Sequence, residues 1–412
     1  MKAGAVRCVL GAAALVAVSG CESPTGPGGK PEPLKALPRE LSAAERGLIE
    51  GSNRFAFGLL REVDRADTAS NIFISPLSAS MALGMTTNGA RGATLEEMRA
   101  TLGFERISLN EMNASYRSLI NLLRGLDPGV EMLIGNSIWA RRDFPVEPAF
   151  LQTGRSYFDA EVATLDFADP GAAATINNWV SRSTRGRIKT IVGERIPGNV
   201  VMYLINAIYF KGSWTQQFDP RRTRDAPFTG ADGSRRTVKM MHRRGSVRHL
   251  STPLFEAVDL PYGRGAFSMT VLLPARGTDL DALVARLDAG EWQRWMGQFA
   301  EREVEVALPR FRIEYEKQLD AALQALGMRR AFRAGEADFT GLSPLGHGLW
   351  VSEVKQKTYV DVNEQGTEAV AVTSVTVVES LPPSFVVDRP FLVVIRERFS
   401  GSILFIGKIT AP

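Results

Sequence analysis

The segment Thr367-Glu-Ala-Val-Ala-Val-Thr-Ser-Val-Thr-Val-Val378 constrains the fold more than any other part of the 412-residue chain. It carries one charge, no proline and no glycine, and it is dense in β-branched residues, which favours an extended strand. At period two, Thr367, Ala369, Ala371, Thr373, Val375 and Val377 share one face, and Glu368, Val370, Val372, Ser374, Thr376 and Val378 share the other. The first face is small at its leading end and apolar further on, which suits a strand whose leading end slides into a tight gap. Tyr359–Asn363 reads as a preceding strand, and Glu364-Gln365-Gly366 as a joint made flexible by glycine. Pro382-Pro383 closes the run, because prolines cannot join a central ladder. Taken alone, the segment is an ordinary central strand.

The rest of the chain divides into early helices and later strands. Ser42-Ala-Ala-Glu45 is a capping box ahead of Ile49, Ala56, Leu60 and Val63 at helical spacing. Ser75-Pro76 reads as an N-cap followed by proline in the first turn, Thr94-Leu-Glu-Glu97 as a second capping box, and Gly103 as a helix end. Asp169-Pro170 opens a helix carrying Ile176, Trp179 and Val180. Val200–Phe210 and Phe267–Leu273 are apolar runs, as for strands buried on both faces. Val304–Val306 and Phe311–Tyr315 alternate like half-exposed strands, and Phe391–Ile395 and Ile403–Ile406 add two more. This order predicts an α+β fold without internal repeats. Length alone predicts two or three domains.

Composition removes several function classes. Both cysteines, Cys8 and Cys21, precede the body, which therefore has no disulfide framework, thiolate nucleophile or zinc–thiolate site. The histidines are His242, His249 and His347; the first two lie among arginines in a stretch that reads as a turn, as solvated surface groups rather than a metal pair. No metal or other cofactor is expected. The net charge of +4 is spread without a basic block, which argues against nucleic-acid binding. A hydrolase needs a nucleophile, a base and an orienting group, and no such set stands out.

The amino terminus reads as an address. Lys2 and Arg7 precede an apolar run, residues 8–17, of signal-peptide length. Val18-Ser-Gly-Cys21 resembles the bacterial lipobox, which implies cleavage before Cys21 and a lipid on its thiol. Ordinary secretion is the simpler alternative. The expected organisation is a signal peptide over 1–20, a proline- and glycine-rich tether over 21–40 and a folded body over 41–412, acting outside the cytoplasm and held at the cell envelope.

From about Leu41 to Ala411 the chain resembles the serpin family. The phrases that carry the resemblance occur in family order: Asn71-Ile-Phe-Ile-Ser-Pro-Leu-Ser78, Ala82-Leu-Gly-Met85, Gly89-Ala-Arg-Gly-Ala-Thr94, Asn178-Trp-Val180 and Thr184-Arg-Gly-Arg-Ile188. Asn206-Ala-Ile-Tyr-Phe-Lys-Gly-Ser-Trp214, Leu308-Pro-Arg-Phe311, Asp361-Val-Asn-Glu-Gln-Gly-Thr-Glu-Ala369, Pro390-Phe391 and Leu404-Phe-Ile-Gly-Lys408 follow.

The resemblance implies one domain with three β-sheets, about nine helices and an exposed reactive-centre loop. It implies a monomeric, non-enzymatic suicide inhibitor of serine, or cysteine, endopeptidases. A target protease cuts the loop, is held as an acyl-enzyme, and is carried across the molecule as the loop inserts into the central sheet. Glu364, Gly366, Thr367, Glu368, Ala369 and Ala371 match the loop hinge. Ser75, Ser78 and Asn206 match the family's shutter and Trp214 its breach, while Gln356 stands where many members have a shutter histidine. Counting forward from Glu364 puts the cut between Ser380 and Leu381; matching back from Pro382-Pro383 puts it between Glu379 and Ser380. The first implies an elastase- or subtilisin-like target, the second a glutamate-specific one. With no Arg or Lys between Lys357 and Arg389, a trypsin-like target is disfavoured. A non-inhibitory carrier or assembly factor and a passive protease substrate are the rival readings.

Overall fold

In the computed structural model, which describes residues 32–67, 71–367 and 383–412, the first helix starts where its sequence signal lies. The Ser42 hydroxyl accepts from the Glu45 backbone N–H at 3.1 Å, and the Glu45 carboxylate accepts from the Ser42 N–H at 2.7 Å, opening α1 (Ala43–Ala66). There follow β1 (Ile72–Ile74), α2 (Pro76–Thr87), α3 (Gly92–Leu102), α4 (Leu109–Leu123), β2 (Val130–Arg141), α5 (Pro148–Phe158), β3 (Ala160–Leu165), α6 (Gly171–Ser183) and β4 (Met202–Ser213). The second half runs β5 (Arg224–Thr229), β6 (Arg235–Ser251), β7 (Phe255–Tyr262), β8 (Phe267–Pro274), α7 (Leu280–Arg286), α8 (Ala289–Met296), β9 (Ala300–Pro309), β10 (Phe311–Gln318) and α9 (Asp320–Ala325). It ends with β11 (Lys355–Val362), β12 (Gly366–Thr367), β13 (Ser384–Val386), β14 (Phe391–Glu397) and β15 (Ile403–Ile409).

Several local signals act as expected. Ser75 caps α2 with Pro76 in the first turn, and Gly103 ends α3 in the left-handed region at φ +77°. Two expectations are corrected. There is no capping box at Thr94: α3 starts at Gly92, the Thr94 hydroxyl accepts from the Asp338 N–H, and Glu97 takes the backbone N–H groups of Arg329 and Arg330. Distant backbone outcompetes the local cap. His242 and His249 are not on a turn but inside the long strand β6. His249 is buried, 3.9 Å from Glu256, and burial pushes its pKa down.

The strands form three sheets among the described residues. One has the order β1-β15-β14-β8-β7-β6-β9-β13, with β5 also on β6; one has the order β12-β4-β2-β3; the third is the antiparallel pair β10-β11. From Pro33 to Pro412 the chain is one compact unit, so the multi-domain expectation from length does not hold. β4 lies between two cores. Ile208 and Phe210 join the main core with α1 and α2, whereas Ile205 and Ala207 pack under α6 with Trp179 and Trp139.

Candidate functional site

β4 pairs along nearly its whole length with β2 on one edge, but among the described residues its other edge has a partner only at Gly212 and Ser213, opposite Thr367 and Gly366. β11 pairs all along with β10 and, among the described residues, has no ladder partner on its second edge. Toward the Met202 end of β4 the two unpaired edges border a cavity of about 1060 Å³, lined by Leu204 and Asn206 on one side and by Val354 and Gln356 on the other. Backbone N–H and C=O groups left unpaired along a strand edge are a template for another strand. Nearer the hinge the gap is narrow and is roofed by Thr184, Arg187 and Ile188, with the Arg187 guanidinium 5.0 Å from the centre of the Tyr359 ring on β11.

The mouth of this slot is the turn from β11 into β12. Gly366 has φ +138°, and a Cβ there would lie 2.1 Å from the Gly212 carbonyl oxygen, so both the turn and the close approach to β4 require glycine. Trp214 holds the turn: its backbone N–H donates to the Gln365 carbonyl at 2.9 Å and its indole N–H to the Asn363 carbonyl at 3.0 Å. The Tyr262 ring stacks on Trp214 at 4.3 Å, and its hydroxyl lies 3.3 Å from that of Thr367. Burial pushes the Tyr262 pKa up, so this hydroxyl stays protonated at physiological pH. The nearly buried Glu364 carboxylate accepts from Arg310 Nε at 2.7 Å and from the Thr223 hydroxyl.

Beneath the slot, Ser75 and Gln356 tie α2 to β11. The Ser75 N–H donates to Gln356 Oε1 at 2.9 Å, and Gln356 Nε2 donates to the Ser75 carbonyl at 2.8 Å. The Ser75 hydroxyl donates to the Leu404 carbonyl at 2.8 Å, and the Ser78 hydroxyl reaches the Asn206 carbonyl at 3.3 Å. Asn206 Nδ2 donates to Asn136 Oδ1 at 2.7 Å.

Glu364, Gly366, Thr367 and Trp214 therefore meet at the mouth, and Ser75, Ser78, Asn206 and Gln356 at the floor. Glu368, Ala369, Ala371, Glu379, Ser380, Leu381 and Cys21 lie outside the described residues. Sequence reasoning missed Tyr262, Thr223, Asn136 and the role of Arg310. Only Arg310 had a signal, as a cation within a family phrase; the others become partners through long-range packing.

The serpin family model, described as serine protease inhibitor, matches residues 50–412. The chain belongs to the serpin family. It is 34% identical over 378 residues to serpin B8 of Bos taurus, covering 89% of this chain and 99% of that one. It is also 34% identical to the leukocyte elastase inhibitor of Sus scrofa, with coverage of 89% and 99%, and 37% identical to Iripin-4 of Ixodes ricinus, with coverage of 89% and 95%. Among solved structures it is similar to the native state of the thermophilic serpin tengpin, with TM-score 0.82, 29% identity, and coverage of 92% and 97%. Human thyroxine-binding globulin complexed with thyroxine matches with TM-score 0.82 and 29% identity, covering 90% of this chain and all of that one. The expected α+β serpin fold is thus observed, with three sheets and nine α-helices among the described residues. The family is one of inhibitors of serine proteases rather than of proteases, although it also contains a protein named for the thyroxine it binds.

Proposed function

We propose that this serpin is a single-use inhibitor that traps a serine endopeptidase by inserting its cut loop into the slot between β4 and β11. The observation that carries this reading is the start of the missing strand. Thr367 opposite Gly212 sets an antiparallel register on β4. On insertion, a strand continuing that register would pair Glu368 with Lys211, Ala369 with Phe210, Ala371 with Ile208, Val375 with Leu204 and Val377 with Met202. Directly paired residues share a face. The small residues would then enter first on the main-core side, where Phe210 and Ile208 lie. Val370 and Val372 would lie on the α6 side, beside Tyr209 and Ala207.

Ladder hydrogen bonds at about 1 kcal/mol each and buried valines at about 1.5–3 kcal/mol each give a gain on the order of 10 kcal/mol. That is comparable with the whole stability of a small protease, about 5–15 kcal/mol. Some thirteen inserted residues at about 3.3 Å each move the attached enzyme on the order of 40 Å. An elastase- or subtilisin-like enzyme cutting between Ser380 and Leu381 is the target this reading favours; a cut between Glu379 and Ser380 would indicate a glutamate-specific one. With residues 1–20 removed and a lipid on Cys21, the body would work at the cell envelope on the 21–40 tether. Incubation with subtilisin or elastase should give a complex that survives SDS, and mass spectrometry of the released carboxy-terminal peptide identifies the bond. Cleaved chain without any complex would reject inhibition in favour of a passive substrate or a carrier.

A further inference from the structure

At its Met202 end the cavity between β4 and β11 has an apolar wall, made by Leu204 on β4, by Phe144 just after β2, and by Leu342, Leu345, Leu349 and Trp350 ahead of β11. Three large hydrophobic side chains are exposed among the described residues, and two of them, Leu345 at 57% and Trp350 at 42%, stand on this cavity. Apolar side chains left exposed at a concave site mark ligand binding. The charge around the cavity is one-sided. Arg141, Arg195, Lys355 and Lys357 line it with a single carboxylate among the described residues, Glu353. Three of these cations are engaged: Arg141 Nε donates to Asp143 at 2.7 Å, Lys355 lies 3.3 Å from Glu353, and Lys357 lies 2.7 Å from Glu316. Arg195 is exposed and has no hydrogen-bond or ion-pair partner among the described residues. It precedes Gly198, whose carbonyl accepts from Arg141 Nη1 at 3.0 Å, which puts it at the end of the cavity next to β2.

We propose that this end of the cavity binds the anion of a long-chain fatty acid, with its carboxylate on Arg195 and its acyl chain between Leu204 and segment 342–350. One unmatched cation beside an apolar chamber selects a ligand with one negative charge and a long apolar body. The arginine fork fits a carboxylate. The stretch of β4 from Met202 to Ala207 gives the chain a wall about 17 Å long, and each methylene taken out of water along it adds affinity. The acid would occupy space that the cut loop enters, so it would also turn the inhibitor into a substrate. Only this consequence rests on the insertion reading.

The test measures binding of laurate, below its micelle concentration, to the intact full chain by calorimetry, with octanoate and dodecanol as controls. Laurate should fill one saturable site. Octanoate, four methylenes shorter, and dodecanol, without charge, should bind about tenfold more weakly or worse. Arg195→Gln should lower laurate to the affinity of dodecanol and leave dodecanol unchanged, and Leu204→Trp, which fills the chamber, should remove both. Absence of saturable binding, or laurate binding that either substitution leaves undiminished, overturns the site while leaving insertion standing. So does entry of a peptide of residues 367–378 where laurate does not bind. After loop cleavage laurate should no longer bind, and laurate added before the protease should shift products several-fold from trapped complex to cleaved chain. Laurate binding retained by a cleaved chain that has gained thermal stability places the acid elsewhere and overturns the site. Retained by a cleaved chain no more stable than the intact one, it overturns insertion and leaves the fatty-acid site standing.

Discussion

β8 and β4 are built from similar apolar runs, yet they have opposite fates. β8 is paired on both edges, to β7 and β14, and every residue in it is buried. Among the described residues β4 is paired along one edge and only at its last residues on the other, and several of its side chains are partly exposed. Among the described residues β8 is thus enclosed by its sheet, whereas β4 and β11 each keep an open stretch of edge. The proposed insertion, which would release free energy after folding, requires such a division between a closed scaffold and open strand edges.

The comparison breaks most sharply at the mouth of the slot. Thr367 is buried opposite Gly212 and against the Tyr262 hydroxyl, with no room for a long cation. Thr367→Arg should abolish the SDS-resistant complex and the stability gained on cleavage, while β8 and its sheet stay intact by circular dichroism; undiminished trapping would contradict the insertion mechanism. Next in size is a paired truncation. Met269→Ala, in the middle of β8, should cost about 2–5 kcal/mol in intact and cleaved forms alike, because its surroundings do not change. Leu204→Ala, on the open stretch of β4, should cost less in the intact protein and more after cleavage, since an inserted strand would cover it. Equal costs in both forms for Leu204→Ala would show that the slot does not fill.

The smallest effect lies on the closed side, at the start of α1. Burial of Glu45 opposes its ionisation, but hydrogen bonds from Arg39, Ser118 and the Ser42 backbone prevail and hold its pKa at about 2. Its unfolded value is near 4.3. The contribution is therefore complete above about pH 4.3 and disappears as pH falls toward 2. Glu45→Gln should remove this part of the acid dependence of unfolding and leave loop insertion at neutral pH as it was.

What could be read in advance follows the range of the interaction. Ser42, Ser75 and Gly103 act on backbone within a few residues, and they begin or end helices as expected. Thr94 looked equivalent, but Asp338, far along the chain, supplies the N–H that its hydroxyl accepts. β6 was misread around His242 and His249 because its polar side chains hide the strand; its ladder to β9 runs unbroken from Met240 to His249. At the candidate site, Gly366 was legible as a joint, whereas its need for glycine comes from the Gly212 carbonyl on another strand. Asn206 was legible as a position, but the bond that its amide donates to Asn136 on β2 was not.

Residue chemistry acting over short range accounts for the local structure: which segments cap, which extend, and why residues 367–378 have the composition of a strand. Which strand edges are paired and which, among the described residues, stay open emerges only from long-range packing. Edge pairing is made by backbone N–H and C=O groups that are the same in every residue, so β4 and β8 could be told apart only after the chain had brought their neighbours alongside.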